Sequence, residues 1–340
     1  MIGLPEVVAA LIVVALDAYV LTGGADFGGG VWDLAASGAR KEGQRQHIAD
    51  TLAPIWEANH VWLIVVVVMV FTAFPAGFST IAIVLHIPLT VMLFGIVLRG
   101  SAFIFRSYGS TTEGARRRWG VIFAAASIVT PLFLGVIVGA LASGAVGEAS
   151  LRIADPSASF ADVYVAPWVS LFPIVIGLFA LALFAFLAAV YLAYNAPAPS
   201  LAEDFRKRAL AAAAVVFALA AASLLISHWR APGVAGALMQ SGLSIPLQVG
   251  TGVAAVTAIV ALWRRRYGVA RVAAGAQVSG ILWGWALAQF PFILPPLLTI
   301  RAAAAPSRTL ELLVIGLLVG AAVLIPSLRY LLRVFEPRVR

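Results

Sequence analysis

The sequence predicts an all-α integral membrane protein with about nine transmembrane helices, and three observations predict it. Of 340 residues, 62% are hydrophobic and 11% charged, whereas a soluble domain carries about 25% charged residues. Runs of about 20 nearly uncharged apolar residues recur down the whole chain, each long enough to cross a hydrocarbon core of roughly 30 Å as a helix. Lys and Arg gather in alternate connecting segments, the pattern that orients multi-pass membrane proteins.

The first apolar run, Leu4 to Leu21, has no basic residue before it and no small-residue cleavage signature, so it reads as a retained span over 5–22. Further spans are expected at about 61–79, 81–105, 119–141, 167–192, 209–229, 246–263, 276–298 and 309–332. Pro131, Pro173 and Pro246 fall in or beside spans, where proline frees a carbonyl and kinks a helix, and Pro295-Pro296 is expected to end the eighth. In the ninth, Gly316-x-x-x-Gly320 offers a close helix contact. The whole of 1–340 reads as one polytopic membrane domain.

Nine spans put the termini on opposite sides, and the basic residues then choose the sides. One set of segments, around Arg40, Arg116, Arg206, Arg264 and Arg329, holds eighteen Lys and Arg, while the alternate set holds only Arg152, Arg230, Arg301 and Arg308. The positive-inside rule therefore places the N-terminus outside and the C-terminus in the cytoplasm. It also accounts for the net charge of +8 without nucleic acid as a partner. The absence of cysteine excludes disulfides, iron–sulfur clusters and thiolate-bound or covalently attached haem.

The residues that could carry chemistry crowd towards the cytoplasmic face. After the first span comes Gly23-Gly24-Ala25-Asp26-Phe27-Gly28-Gly29-Gly30, a string that lets backbone pack tightly and leaves room for a carboxylate. It is neither a dinucleotide fingerprint nor a P-loop, because no strand precedes it and no Gly-Lys-Ser/Thr follows. Trp56-Glu57-Ala58-Asn59-His60-Val61-Trp62 opens the second span. Glu57 and His60 are three apart, share a helix face and could exchange a proton, although Glu57 at a helix start also suits the dipole. Asp17 sits deep in the first span, where a lipid-facing carboxylate is costly, so it must face protein or water, either as a proton-path group or in a structural hydrogen bond. Arg99, in the third span, is expected to pair with Asp26 or Glu57. His86 and His228 lie towards the outer face, where two imidazoles could ligate a haem but are better read as interface histidines. His47 reads as solvated in a polar loop, and neither zinc spacing nor a Ser–His–Asp arrangement is present.

With these residues in view, the chain resembles subunit II of the cytochrome bd-type quinol oxidases over nearly its full length. The resemblance rests on the two strings above and on Leu98-Arg99-Gly100-Ser101-Ala102-Phe103-Ile104-Phe105-Arg106. It continues through Thr130-Pro131-Leu132-Phe133-Leu134-Gly135 and through Trp283-Gly284-Trp285-Ala286-Leu287-Ala288-Gln289-Phe290-Pro291 with Leu294-Pro295-Pro296-Leu297. It implies two four-helix bundles, helices 1–4 and 5–8, plus a peripheral ninth helix, in the cytoplasmic (inner) membrane of a bacterium. It implies a partner, the haem-bearing subunit I, with haems b558, b595 and d, or a b haem in place of d, and with the quinol site. Small accessory subunits and membrane lipids are further expected neighbours. Subunit II of this family carries no haem; some members hold a quinone.

For this chain the resemblance implies a cytoplasmic proton route through Asp26 and Glu57, to which the residues add His60 and Asp17. Arg99, Arg106, Trp56, Asn59 and Trp62 are expected to serve structure or the partner contact. Family members often have an acid where Gly23 stands and Glu or Gln where His60 stands, so His60, titrating near neutrality, could replace the missing acid. The rival readings are a proton-coupled secondary transporter, whose acids would lie at interrupted spans, and a di-haem electron-transfer anchor through His86 and His228.

Overall fold

In the computed structural model, which describes residues 3–105, 112–240 and 242–335, the chain is a bundle of long helices with one two-stranded hairpin. The side chains of 52–58, 240, 325, 328–329 and 331–335 lie outside the described set. Seven described helices are long and apolar enough to cross a membrane, or eight if one bent pair is taken as a single span. The expected count of nine is therefore not reached among the described residues.

Helix α1 (Leu4–Leu34) begins with Pro5 in its first turn and Glu6 bonded back to the Gly3 N–H at 2.7 Å, both of which favour a helix start. It does not stop at the glycine string. The expected loop is the second half of a 31-residue helix, with Gly23 to Gly30 buried throughout. Glycine is a poor helix former, so packing overrides propensity here. Helix α2 (Lys41–Ala73) likewise starts well before its apolar run.

Phe74 then leaves helical geometry at φ −134° and ψ 60°, because the ring of Pro75 excludes an α conformation in the preceding residue. Helix α3 (Pro75–Val84) departs at 116° to the end of α2, and α4 (His86–Ile104) follows after Leu85. The spans expected at 61–79 and 81–105 are thus one bent pair and a separate helix. The bend sits in an apolar cluster of Phe74, Met69, Val8, Ile300 and Leu310.

Helix α5 (Glu113–Ala142) is capped by Thr112, whose hydroxyl accepts from the Ala115 N–H at 3.3 Å, and it runs through Pro131. Two short helices, α6 (Ala145–Leu151) and α7 (Phe160–Tyr164), fill the connection to the next long helix. Next come α8 (Leu171–Tyr194), α9 (Pro199–Arg230), α10 (Pro232–Gln240), α11 (Ser244–Trp263) and α12 (Tyr267–Gln289). Pro173 and Pro246 fall in the first turns of α8 and α11, where a missing N–H costs nothing.

The eighth span was expected to run to 298; α12 instead ends at Gln289, two residues before Pro291. The chain then forms a hairpin of β1 (Phe292–Leu294) and β2 (Leu298–Thr299), so Pro295-Pro296 lies in its turn and does not end a helix. Helices α13 (Ile300–Ala303) and α14 (Ser307–Phe335) complete the chain.

Helix α8 is the centre, packed on α1, α5, α9 and α12, with 61% of its apolar window buried. Helix α14 is peripheral: it touches α1 and α2, only 6% of its window is buried, and Gly316 and Gly320 face no neighbour within 4 Å. The main core joins Tyr19 and Phe27 of α1 to Phe184, Leu187 and Val190 of α8 and to Leu262 of α11.

Candidate functional site

The glycines of α1 let three helices close around one ion pair. A Cβ at Gly28 would stand 2.0 Å from the Phe184 carbonyl oxygen, and one at Gly30 would stand 2.2 Å from Ser127 Oγ. No other residue fits at such distances, so α1 lies against α8 and α5 at backbone range. That approach brings Asp26 to Arg99 of α4, each only 2% exposed.

The pair is bidentate. Arg99 Nη1 donates to Asp26 Oδ2 and Nη2 to Oδ1, both at 2.6 Å, while Nη2 also reaches the Asp26 carbonyl at 3.0 Å. Arg99 Nε donates to Ser127 Oγ at 2.9 Å, and that hydroxyl donates to the Phe123 carbonyl at 2.7 Å. The rings of Phe27 and Phe123 each lie 4.8 Å from the guanidinium carbon. Charge, fork geometry and aromatic faces are all matched, as a desolvated arginine requires. Of the two acids expected for Arg99, Asp26 binds it, and the side chain of Glu57 lies outside the described set.

Asn59, fully buried on α2, extends the site, donating from Nδ2 to Asp26 Oδ2 at 3.4 Å, while Thr22 Oγ1 donates to Asn59 Oδ1 at 3.4 Å. A Cβ at Gly23 would meet Asn59 Oδ1 at 2.6 Å. The amide thus occupies the room that an acidic side chain at position 23 would need, which is the physical reason for glycine there. His60 is next in sequence and half-buried, and Trp62 packs on the main core. Glu57 and Trp56 lie on the same stretch of α2, with side chains outside the described set; Arg106 is outside the described residues altogether. Asp17 is not part of the cluster. It lies nine residues before Asp26, about 14 Å along the helix, and its Oδ1 is buried without a hydrogen-bond partner among the described atoms.

Several residues of the site carry no signal in the sequence. Ser127 and Phe123 are ordinary members of an apolar run, and Thr130, one turn on from Ser127, has a buried hydroxyl that bonds to nothing described. His47 is a correction: it is not solvated but buried in α2, its Nε2 bonded to the Leu192 carbonyl at 2.9 Å and its Nδ1 facing Thr51 Oγ1 at 3.3 Å. The polar segment that holds it is helical and packs on α8 and α9. Nearby, Asp33 is buried with Arg45 at 3.9 Å, and Trp32 Nε1 donates to the Ala185 carbonyl at 2.7 Å. Asp204 holds the Arg40 guanidinium above its ordinary pKa through direct hydrogen bonds.

His86 and His228 are both exposed and have local partners. His86 Nδ1 meets the Ile83 carbonyl at 2.9 Å and its ring lies against Tyr164, while His228 Nδ1 meets the Leu224 carbonyl of its own helix at 2.9 Å. Among the described residues no three His, Asp or Glu groups converge as a metal site.

Comparison with known proteins places this architecture. The family described as cytochrome bd terminal oxidase subunit II matches residues 4–335. The cytochrome bd ubiquinol oxidase subunit 2 of Bacillus subtilis is 29% identical over 155 residues, 45% of this chain and 45% of that protein. The cytochrome bd-I ubiquinol oxidase subunit 2 of Escherichia coli is 29% identical over 135 residues, 39% of this chain and 35% of that protein. The matched stretches thus span less than half the length of these curated relatives. A chain of the bd oxidase structure from Geobacillus thermodenitrificans has the same fold, with a TM-score of 0.81 over 98% of this chain and 99% of that one at 22% identity.

Proposed function

This chain belongs to the cytochrome bd terminal oxidase subunit II family, and from that premise we propose that it is the haem-free subunit of a membrane quinol:oxygen oxidoreductase. The complex oxidises two quinols to quinones and reduces one O2 to two waters. The haems that carry the electrons belong to subunit I, as does the quinol site. This chain stabilises that partner and admits protons from the arginine-rich face, which the positive-inside rule makes cytoplasmic. Membrane lipids surround it, and neither haem nor metal is assigned to its own residues.

The observation that carries the reading is the family match over 4–335 on a bundle whose buried charges meet at one end of α1, α2 and α4. Within it, Asp26 and the other acids have different roles. The Asp26 carboxylate commits both oxygens to Arg99 at 2.6 Å, so we assign it to holding the ion pair and not to passing a proton. That charge, with Asn59, orders the α2 turn on which Glu57 and His60 stand. Glu57 and His60, three apart on one helix face, take the proton, and Asp17, with an oxygen unpartnered among the described atoms, offers a later station.

The transporter reading needs an acid at a broken span, and the bend at Phe74 is set in an apolar cluster. In the purified complex Glu57→Gln is expected to lower quinol-driven oxygen consumption about tenfold or more while the haem spectrum is retained. Unchanged turnover in Glu57→Gln and in His60→Phe would overturn the route.

A further inference from the structure

A second polar cluster, independent of the oxidase reading, lies at the arginine-rich end, where the start of α2 faces the first turns of α9. Ser37, Gly38, Ala39, Arg40 and Gln44 line one wall of a cavity of about 300 Å³, and Asp204, Lys207 and Arg208 line the other. Three cations and one carboxylate share this space. The carboxylate is engaged: Arg40 donates to Asp204 from Nε at 2.8 Å and from Nη2 at 2.5 Å, and Gln44 Nε2 donates at 2.9 Å. Two positive charges are left over for whatever enters.

Arg208 is held in place by what it touches. Its guanidinium carbon lies 5.6 Å from the Trp32 ring and 5.2 Å from that of Phe205. Its Nη2 donates to the Ala35 carbonyl at 3.1 Å and to Gln44 Oε1 at 2.7 Å. Yet its Nη1 is buried with no partner among the described atoms, an arrangement that favours a further acceptor. Helix α2 adds to this. Its N-cap residue, Arg40, lines the cavity, which places the positive end of a 33-residue helix dipole nearby, although the Lys41 N–H is taken by the Gly38 carbonyl at 3.1 Å. The acid of that turn, Glu42, is exposed and lies 3.8 Å from Arg45. Lys207 and Arg208 immediately precede the apolar run from Leu210, which puts them at headgroup depth.

We propose that this cavity binds a phosphate monoanion, with Arg208 as the anchoring fork and Lys207 as the mobile second charge. An anionic phospholipid and inorganic phosphate offer the same group. The test uses the purified full-length membrane complex, stripped of lipid by detergent exchange. Native mass spectrometry reads retention of phosphatidylglycerol against phosphatidylcholine, and calorimetry reads binding of inorganic phosphate.

Lys207 is exposed, so Lys207→Gln leaves the packing intact, and it is expected to weaken binding about tenfold; Arg208→Gln is expected to abolish it. Lys41→Gln, one residue beyond the cavity, is expected to change binding less than about twofold. Response to both probes assigns the phosphate group itself, and response to phosphatidylglycerol alone assigns the lipid. Retention of phosphatidylglycerol no better than phosphatidylcholine with no phosphate binding, or binding that Lys207→Gln leaves at the wild-type level, overturns the proposal.

Discussion

Replacing Asp26 with Asn removes the charge that balances Arg99 while nearly preserving shape. Asp26 supplies three of the four acceptors that Arg99 engages, namely both carboxylate oxygens at 2.6 Å and its own carbonyl at 3.0 Å; Ser127 supplies the fourth. An amide keeps one side-chain acceptor and turns the other into an NH2 that points at a guanidinium N–H. The cation is then left buried at 2% exposure without a counter-charge. Breaking one side of a buried pair costs about 3–5 kcal/mol.

The two phenyl faces at 4.8 Å persist and hold the cost near the lower figure. At about 2 °C per kcal/mol for a chain of this size, the complex should melt about 6 °C lower by intrinsic tryptophan fluorescence. Asp26→Leu combined with Arg99→Met removes both charges and should recover most of that loss, since an apolar replacement of a buried pair is close to neutral. An Asp26→Asn complex melting within about 2 °C of wild type, or a double variant less stable than the single, would show that Arg99 does not depend on the Asp26 charge.

The remaining predictions concern the close helix contacts and the proton route. Gly28→Ala places a methyl 2.0 Å from the Phe184 carbonyl, which is backbone and cannot swing aside, so α1 and α8 must separate. A loss of more than about 3 kcal/mol, read as poor assembly or a melting point at least about 6 °C lower, is expected. Gly23→Glu restores the acid common in the family but meets Asn59 at 2.6 Å. It should destabilise the chain alone and recover at least about 1 kcal/mol when Asn59→Ala makes room, as a double-mutant cycle would show. Turnover of Glu57→Gln with the haem spectrum retained tests the route itself.

Much of the fold is legible because long apolar runs leave the chain few choices in a bilayer. The runs behind α5, α8 and α11 became helices close to their expected bounds. Two failures share one cause. The Gly23 to Gly30 stretch and the polar segment around His47 both look like loop by composition, and both are helix: the first is buried throughout, and the second packs Gln44, His47 and Ile48 against its neighbours. Proline placed the other differences: Pro75 breaks one span at Phe74, and Pro291 stops α12 before the double proline is reached.

At the site, the charged members were visible as costly residues in apolar surroundings, which narrowed the partner of Arg99 to two acids. Ser127 and Phe123, which complete its cradle with Phe27 of the glycine string, were invisible, since a serine or phenylalanine in an apolar run is unremarkable until three helices meet. The collision between Asn59 and position 23 is likewise a property of the assembled helices alone.

Membership of a haem-bearing quinol oxidase is read most directly from what the chain brings with it from the membrane. Affinity purification of the tagged full-length chain in mild detergent, with the optical spectrum and quinol-driven oxygen uptake of the eluate, is the measurement. The eluate is expected to contain a second, haem-bearing subunit, to show b and d (or b only) haem bands, and to take up oxygen at a rate unaltered by His86→Ala with His228→Ala. A chain that elutes alone without quinol oxidation, or haem bands lost from the intact complex when those two histidines are replaced, would contradict it.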